Sequence, residues 1–326
     1  MKKIGLLIEI KDHTLKPSNF GMITAARAKG HVLYALIINH TVESYQEELR
    51  TYGVDKVIDI SIDGFRDVWH PVHWTEAVVA AVQQFGIEVL FGLSSGRNRD
   101  LLPRIAAALD APLIMDCIKV DVDRRTAETS QFSGKAVATF RVNGPCLVFG
   151  LRPNQFEPVP EAGPAEIISF SADAYDTKGM ETIPTPSTAT DVVDLTEAEI
   201  IIAGGRGMEN GEKFSILFEC AKKLNAAVGA SRAAVDAGWV PYALQVGQTG
   251  TKVNPKVYIA CGISGSVQHF AGMKTAGRII AINTDPEAAI IAKCDNYIIA
   301  DLFEVIPALT RQLAEMLMEK PDSDNR

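Results

Sequence analysis

The chain has 326 residues, 47% apolar and 22% charged, which is material for two hydrophobic cores and implies two domains. Its formal charge is 32 − 40 = −8 with no basic stripe, which argues against nucleic acid and anionic membranes as partners. No run of about 18 apolar residues occurs, so no membrane insertion is expected.

The opening MKKIGLLIEI holds too short an apolar run for a signal segment, has no small-residue cleavage site after it, and reads as a first buried strand. Up to Pro112 two kinds of run alternate. KIGLLIEI, HVLYALII, KVIDISI and EVLFGLSS are strand-like; NFGMITAARAKG, SYQEELRTYG, WTEAVVAAVQQFG and DLLPRIAAALD are helix-like. The alternation predicts an α/β domain with right-handed crossovers and a mainly parallel sheet. After Pro112, APLIMDCIKVDVD, KAVATFRV and PCLVFGLR alternate at period two without helices between them, which predicts an antiparallel extension of that sheet.

From Pro153 to Thr190 the chain is rich in Pro, Ser, Thr and Glu, with one short strand, AEIISF. This is the expected inter-domain connection, able to let one domain swing relative to the other. The expected domains are therefore 1–190 and 191–326. In the second, EIIIAG, AAVGAS, KVYIACGIS, RIIAINT and NYIIAD read as strands of another mainly parallel sheet. FSILFECAKKL, SVQHFAGM, EAAIIAK and LFEVIPALTRQLAEMLMEK read as helices. The tail after Lys320 is expected to be disordered. The five cysteines are scattered and form no C-x-x-C, which predicts reduced thiols, no cysteine-bound cluster and a cytoplasmic compartment.

In an open parallel sheet, ligands bind beyond the carboxyl ends of the strands. All five strand ends here are unusual: Gly204-Gly205-Arg206-Gly207, Gly229-Ala230-Ser231-Arg232, Gly262 to Ser266, Asn283-Thr284-Asp285, and Ala300-Asp301-Leu302. Their convergence predicts a nucleotide-sized ligand. An NAD fingerprint is incomplete: the third glycine is displaced to Gly211 and Ser231-Arg232 stands where a ribose-binding acid is expected. Arg232 there suits a 2′-phosphate, which keeps NADP open.

Arg232 reads either as a surface ion-pair residue or, at the end of a strand expected to be central, as a guanidinium stacked on a conjugated ring. His269 follows the Ser264-Gly265-Ser266 turn by one helical turn. That turn makes a helix start with free N–H groups, which favours anions. Gln245 to Gly250 follows Pro241 and reads as a loop offering amides and hydroxyls to a flat polar ring.

The phrases VGASRAAVDAG, QVGQTG, YIACGISGSVQH, AGMK, AINTDPEA and ADLFEVIP, in this order, resemble the signature of the electron-transfer flavoprotein alpha subunit family over residues 199–310. Ser266, Val267 and Phe270 stand where Ala, Ile and Leu are common, and Thr284 where lysine is frequent. The resemblance implies a doubly wound C-terminal domain that binds FAD. It implies that Arg206 and Ser231 contact the phosphate and ribose region and that Arg232 lies over the isoalloxazine. Val246, Gly247, Gln248 and Thr249 would surround the ring. Ser264, Gly265, Ser266, Val267, Gln268 and His269 would form the turn and helix start, with His269 near the pyrimidine carbonyl. Asn283, Asp301 and Leu302 would hold the adenosine end.

The resemblance further implies a beta-subunit partner in a heterodimer. Electrons would come from flavoprotein dehydrogenases such as acyl-CoA dehydrogenases of fatty acid oxidation, and would pass to a downstream redox acceptor. No catalytic side chain is required, because the cofactor does the chemistry. Two alternatives stay open: the alpha chain of a flavin-based bifurcating, NADH-oxidising complex, and a non-enzymatic nucleotide-binding regulatory subunit.

In the first domain, Ser94-Ser95-Gly96-Arg97 precedes a helix and could bind phosphate. The family's nucleotide counterpart belongs to the beta subunit, so a structural role is expected. His70-Pro71-Val72-His73 has metal-like spacing, but the proline is expected to break the helix that would align both rings, and no metal is expected.

Overall fold

The computed structural model describes residues 2–27, 30–62, 64, 69–132, 136–173 and 193–318. It divides into two compact units, Met1–Ser187 and Thr188–Arg326.

The first unit contains β1 (Lys3–Leu7), β2 (Ile10–Lys11), β3 (Thr14–Leu15), α1 (Ser18–Ala26), β4 (Val32–Ile38), α2 (Gln46–Thr51), β5 (Lys56–Ile62), α3 (Pro71–Phe85), β6 (Val89–Leu93), α4 (Asn98–Ala108), β7 (Leu113–Asp121), β8 (Thr126–Gln131), β9 (Ala136–Arg141), β10 (Leu147–Leu151) and β11 (Glu166–Ala172). Nine strands form one sheet in the order β11-β5-β4-β1-β6-β10-β7-β8-β9. Every neighbouring pair from β11 to β7 is parallel, and only β7-β8 and β8-β9 are antiparallel.

Two expectations change here. PCLVFGLR is not part of the antiparallel extension. Its core, β10, is a parallel strand inserted between β6 and β7, with all five residues buried. A continuous apolar run is what burial on both faces requires, and the β8-β9 excursion replaces the usual crossover helix. AEIISF is not part of the connection either. It becomes β11, in register with β5 from Glu166↔Lys56 to Ala172↔Ile62. Residues 153–165 run without a helix or strand against the first unit, the Glu161 N–H donating to the Thr51 carbonyl at 2.9 Å and the Gly163 N–H to the Arg50 carbonyl at 2.8 Å. Residues 174–190 of the connection, the expected boundary at 190/191 and the tail after Lys320 lie outside the described residues.

The second unit contains β12 (Ile200–Gly204), α5 (Ser215–Leu224), β13 (Ala227–Ala230), α6 (Arg232–Asp236), β14 (Val257–Cys261), α7 (Val267–Met273), β15 (Arg278–Asn283), β16 (Asn296–Ile299) and α8 (Leu302–Met318). The sheet order is β13-β12-β14-β15-β16, all parallel. Successive side chains of β12 serve opposite faces, as period two demands. Ile202 packs with Leu217, Cys220 and Ile306 of α5 and α8, whereas Ile201 and Ala203 pack with Tyr258 and Met273 on the α7 side. The domain is thus doubly wound. The expected helix EAAIIAK is absent: only a single turn of 3₁₀ helix, Ile291–Lys293, forms. Pro286 precedes it, and the Ile290 N–H is drawn to the Ser264 carbonyl at 3.1 Å, away from helical pairing. Among the described residues no helix is long and apolar enough to cross a membrane.

Candidate functional site

Because the five strands of the second unit are parallel, their carboxyl ends lie along one edge of the sheet. The loops leaving that edge enclose a cleft of about 980 Å³, at the upper end for a small-molecule site. The chain winds from β12 to β13 on one side and through β14, β15 and β16 on the other, so the loops after β12 and β14 flank the topological switch point.

The loop after β12 touches the loop after β14. The Gly207 N–H donates to the Gly262 carbonyl at 3.0 Å, and a Cβ on Gly207 would stand 2.7 Å from the Gly262 Cα, so glycine is required for the approach. Arg206 lines the cleft beside this contact and has no ion-pair partner among the described residues.

Ser231 follows β13 and caps α6, its Oγ accepting from the Ala234 N–H at 3.4 Å. Arg232 lines the cleft, but β13 is an edge strand, not a central one. The side chain is accordingly 69% exposed, and its Nε donates to Asp236 at 3.1 Å. Of the two readings of Arg232, the surface ion pair is the one seen, at the mouth of the cleft.

The 245–250 loop is pinned at both ends. The Val246 N–H donates to the Ala230 carbonyl at 2.9 Å and the Gln248 N–H to the Gln268 carbonyl at 2.8 Å. Val246, Gly247, Gln248 and Thr249 all line the cleft. Buried Gln245 donates from Nε2 to Thr249 Oγ1 at 3.1 Å, and Tyr242 Oη donates to the Thr249 carbonyl at 2.5 Å.

After β14, Ser264, Ser266, Gln268 and His269 line the cleft, but Gly265 and Val267 do not. Gly265 has φ +79°, and its carbonyl accepts from Lys293 Nζ at 2.9 Å. Val267 is exposed on the outside of the first turn of α7. Ser266 caps that turn, its Oγ accepting from the His269 N–H at 3.3 Å, so the helix start is partly satisfied from within. His269 is buried at 5% exposure; Nε2 lies 3.0 Å from Tyr258 Oη and Nδ1 has no hydrogen-bond partner. Burial lowers its pKa to about 4, with the Val246 backbone opposing the shift, so the ring is neutral near pH 7.

At the far end Asn283, Asp301 and Leu302 line the cleft. Asn283 brackets two loops: Nδ2 donates to the Ile263 carbonyl and Oδ1 accepts from the Asp285 N–H, each at 3.1 Å. Asp301 Oδ1 accepts from the Phe303 N–H at 2.8 Å at the start of α8. Sequence reasoning passed over the acids Glu209, Asp236 and Glu287, which also line the cleft, as does Asp285 of the fourth strand end. Glu209 and Glu287 stand in surface-like loops and Asp236 ends α6, where only its i,i+4 spacing from Arg232 was a usable signal.

The arrangement has guanidinium groups at Arg206 and Arg232, hydroxyls and amides around Gln248, Thr249, Ser264 and Ser266, an orphaned imidazole nitrogen, and carboxylates at the far end. That donor set fits a dinucleotide: cations for phosphates, neutral donors for a flat polar ring, and carboxylates for ribose hydroxyls.

The motifs of the first unit are engaged in its own fold. Ser95 Oγ bonds buried Glu9 and accepts from the Asn98 N–H at 3.2 Å; Ser94 Oγ accepts from the Asp116 N–H at 2.9 Å. Arg97 lies between the Trp69 and Trp74 rings, 5.1 and 5.3 Å from their centroids. The expected helix break at Pro71 is wrong. Pro71 opens α3 instead of breaking it, and the two buried rings meet with centroids 4.4 Å apart. No group of three or more His, Cys, Asp or Glu with metal-binding geometry occurs among the described residues.

Comparison with known proteins agrees with this geometry. The family pattern described as the electron transfer flavoprotein domain matches residues 4–175, and that of the electron transfer flavoprotein FAD-binding domain matches residues 194–274. The chain is 38% identical over 325 residues to the electron transfer flavoprotein subunit alpha of Bacillus subtilis, covering 97% of this chain and 98% of that one. It is 35% identical to a probable mitochondrial electron transfer flavoprotein subunit alpha of Caenorhabditis elegans, covering 94% and 93%. It is 37% identical to the protein FixB of Clostridium saccharobutylicum, covering 88% of each.

Proposed function

The chain belongs to the electron transfer flavoprotein alpha subunit family, and from that premise we propose that it is the FAD-holding subunit of a heterodimeric electron carrier. One observation carries the reading: apart from Gly265 and Val267, every residue that the motif assigns to FAD lines one cleft at the switch point of the second unit. Bound FAD supplies reversible uptake and release of electrons. The side chains supply placement and charge. Arg206, without an ion-pair partner among the described residues, offers its guanidinium to a phosphate. Ser231 sets the β13 turn. Arg232, from the mouth of the cleft, offers positive charge to the ring system. Gln248 and Thr249 present amide and hydroxyl groups, and His269 presents Nδ1. Asp301 and Asn283 frame the adenosine end.

The partner is a beta subunit. The donors are flavoprotein dehydrogenases, acyl-CoA dehydrogenases among them, and the acceptor is another redox protein. The complex works in the cytoplasm. Co-purification with the neighbouring subunit, followed by flavin extraction, tests the reading: one FAD per copy of this chain is expected. A complex that stays colourless after FAD is added overturns it and favours a regulatory nucleotide-binding subunit.

A further inference from the structure

Tyr258 carries a polar atom into the apolar core of the second unit. Its residue is fully buried, on the β14 face that packs with Ile201, Ala203 and Met273. Among the described residues its hydroxyl has one partner, His269 Nε2 at 3.0 Å, and the rings meet edge-on with centroids 6.1 Å apart at 61°. His269 is also fixed at its backbone by the Ser266 cap, so both the origin of the side chain and one ring nitrogen are held.

The direction of the Tyr258–His269 bond follows from the groups available. If Nε2 carried the proton and donated to the tyrosine, the phenolic O–H would be left buried without an acceptor, and Nδ1 would be a lone pair without a donor. If the phenol donates, only the Nδ1–H is left without a partner. Burial disfavours each unpaired polar group, so the arrangement with one orphan prevails. Burial also keeps the phenol protonated, its pKa raised well above the ordinary 10, and keeps the imidazole neutral. The backbone of Val246, a cleft-lining residue, bears on the same ring.

We propose that Tyr258 is a positioning residue that acts through His269: its hydroxyl holds the imidazole in the Nδ1–H tautomer and so makes His269 a hydrogen-bond donor toward the ligand in the cleft. The proposal rests on the FAD reading only for the identity of that ligand. It extends the site by one residue that does not touch the cleft, and it sets the polarity of the residue that does.

The test uses the full chain in complex with its partner subunit, labelled with ¹⁵N-histidine, with the His269 resonance assigned from a His269→Asn sample. The wild-type protein should show a pyridine-type Nε2 and a pyrrole-type Nδ1 for His269, and Tyr258→Phe should lose that pattern. A wild-type spectrum with the proton on Nε2 overturns the proposal, whether or not the complex binds FAD and whether or not Tyr258→Phe folds. With FAD as ligand, Tyr258→Phe should weaken binding about fivefold, the loss of roughly one hydrogen bond. In a His269→Ala background the same change should add nothing, because its effect passes through the imidazole. Equal losses in both backgrounds would show Tyr258 to be structural support and overturn the proposal.

Discussion

His269 stores a pH dependence in its burial. Its folded pKa of about 4 lies below the 6.5 of a free imidazole. Above pH 6.5 neither state binds the proton. As pH falls from 6.5 toward 4, the unfolded chain takes up a proton that the folded chain refuses, so stability present at neutral pH is lost over that window. The full shift corresponds to about 3 kcal/mol. Denaturant unfolding at pH 7 and pH 4.5 should therefore show a smaller acid loss in His269→Asn than in the wild type; equal losses would place the pH dependence elsewhere. Arg232 behaves differently because it is exposed and shares its charge with Asp236. An exposed cation near an aromatic system contributes about 0.5–1 kcal/mol. By the conversion of about 59 mV per tenfold change, Arg232→Ala should lower the reduction potential of bound flavin by roughly 20–40 mV. Arg232→Lys should recover part of this, keeping the charge but not the planar fork. Spectroelectrochemical titration of the loaded complex reads both, and an unchanged potential would make Arg232 a surface ion-pair residue only.

Helix α7 is placed by a backbone contact. Gly272 lies against Gly247, where an added Cβ would collide with the Gly247 backbone. The contact seats α7 on the 245–250 loop, and the Gln248 N–H to Gln268 carbonyl bond completes it. Gly272→Ala should force the two apart and cost about 1–3 kcal/mol of stability, the usual range for overpacking. It should also lower flavin content, since Gln248, Thr249 and His269 move with these elements. Gly96→Ala, where a Cβ meets nothing within 4 Å and φ is ordinary, serves as the control. Thermal unfolding and flavin-to-protein ratio check the pair; a Gly272→Ala protein matching the control would remove the close approach from the account. The strand β10 shows the limit of reading elements one at a time. Its apolar run is plain in the sequence, but its direction depends on how the β8-β9 excursion returns the chain, which no local pattern encodes.

At the scale of the molecule, the second unit leaves β16 as an open edge with Tyr297, Ile298 and Ile299 exposed. Open edges bearing apolar side chains favour association. The heterodimer proposed above follows this logic. Light scattering of the co-expressed proteins should give the mass of one copy of each subunit, whereas a stable, FAD-replete monomer would count against the assembly. Counting flavins in the same sample separates a simple relay from a bifurcating complex. FAD in the partner subunit as well as in this chain indicates bifurcation, and one FAD per heterodimer indicates relay.

The sequence by itself determined the α/β class, the five glycine- and polar-rich strand ends, and the family, because these depend on local periodicity and on motifs contiguous in the chain. Pairing and burial were decided only by the tertiary structure. Arg232 proved to follow an edge strand, His70 and His73 came together because Pro71 could open a helix, and Glu287–Lys293 was pulled out of helical form by Ser264. Tyr258 and His269 are eleven residues apart, on a strand and a helix. Their hydrogen bond exists because the β14 pleat turns the phenol toward the face on which α7 lands, and the positions of strands and helices relative to one another are set by long-range packing, not by local sequence.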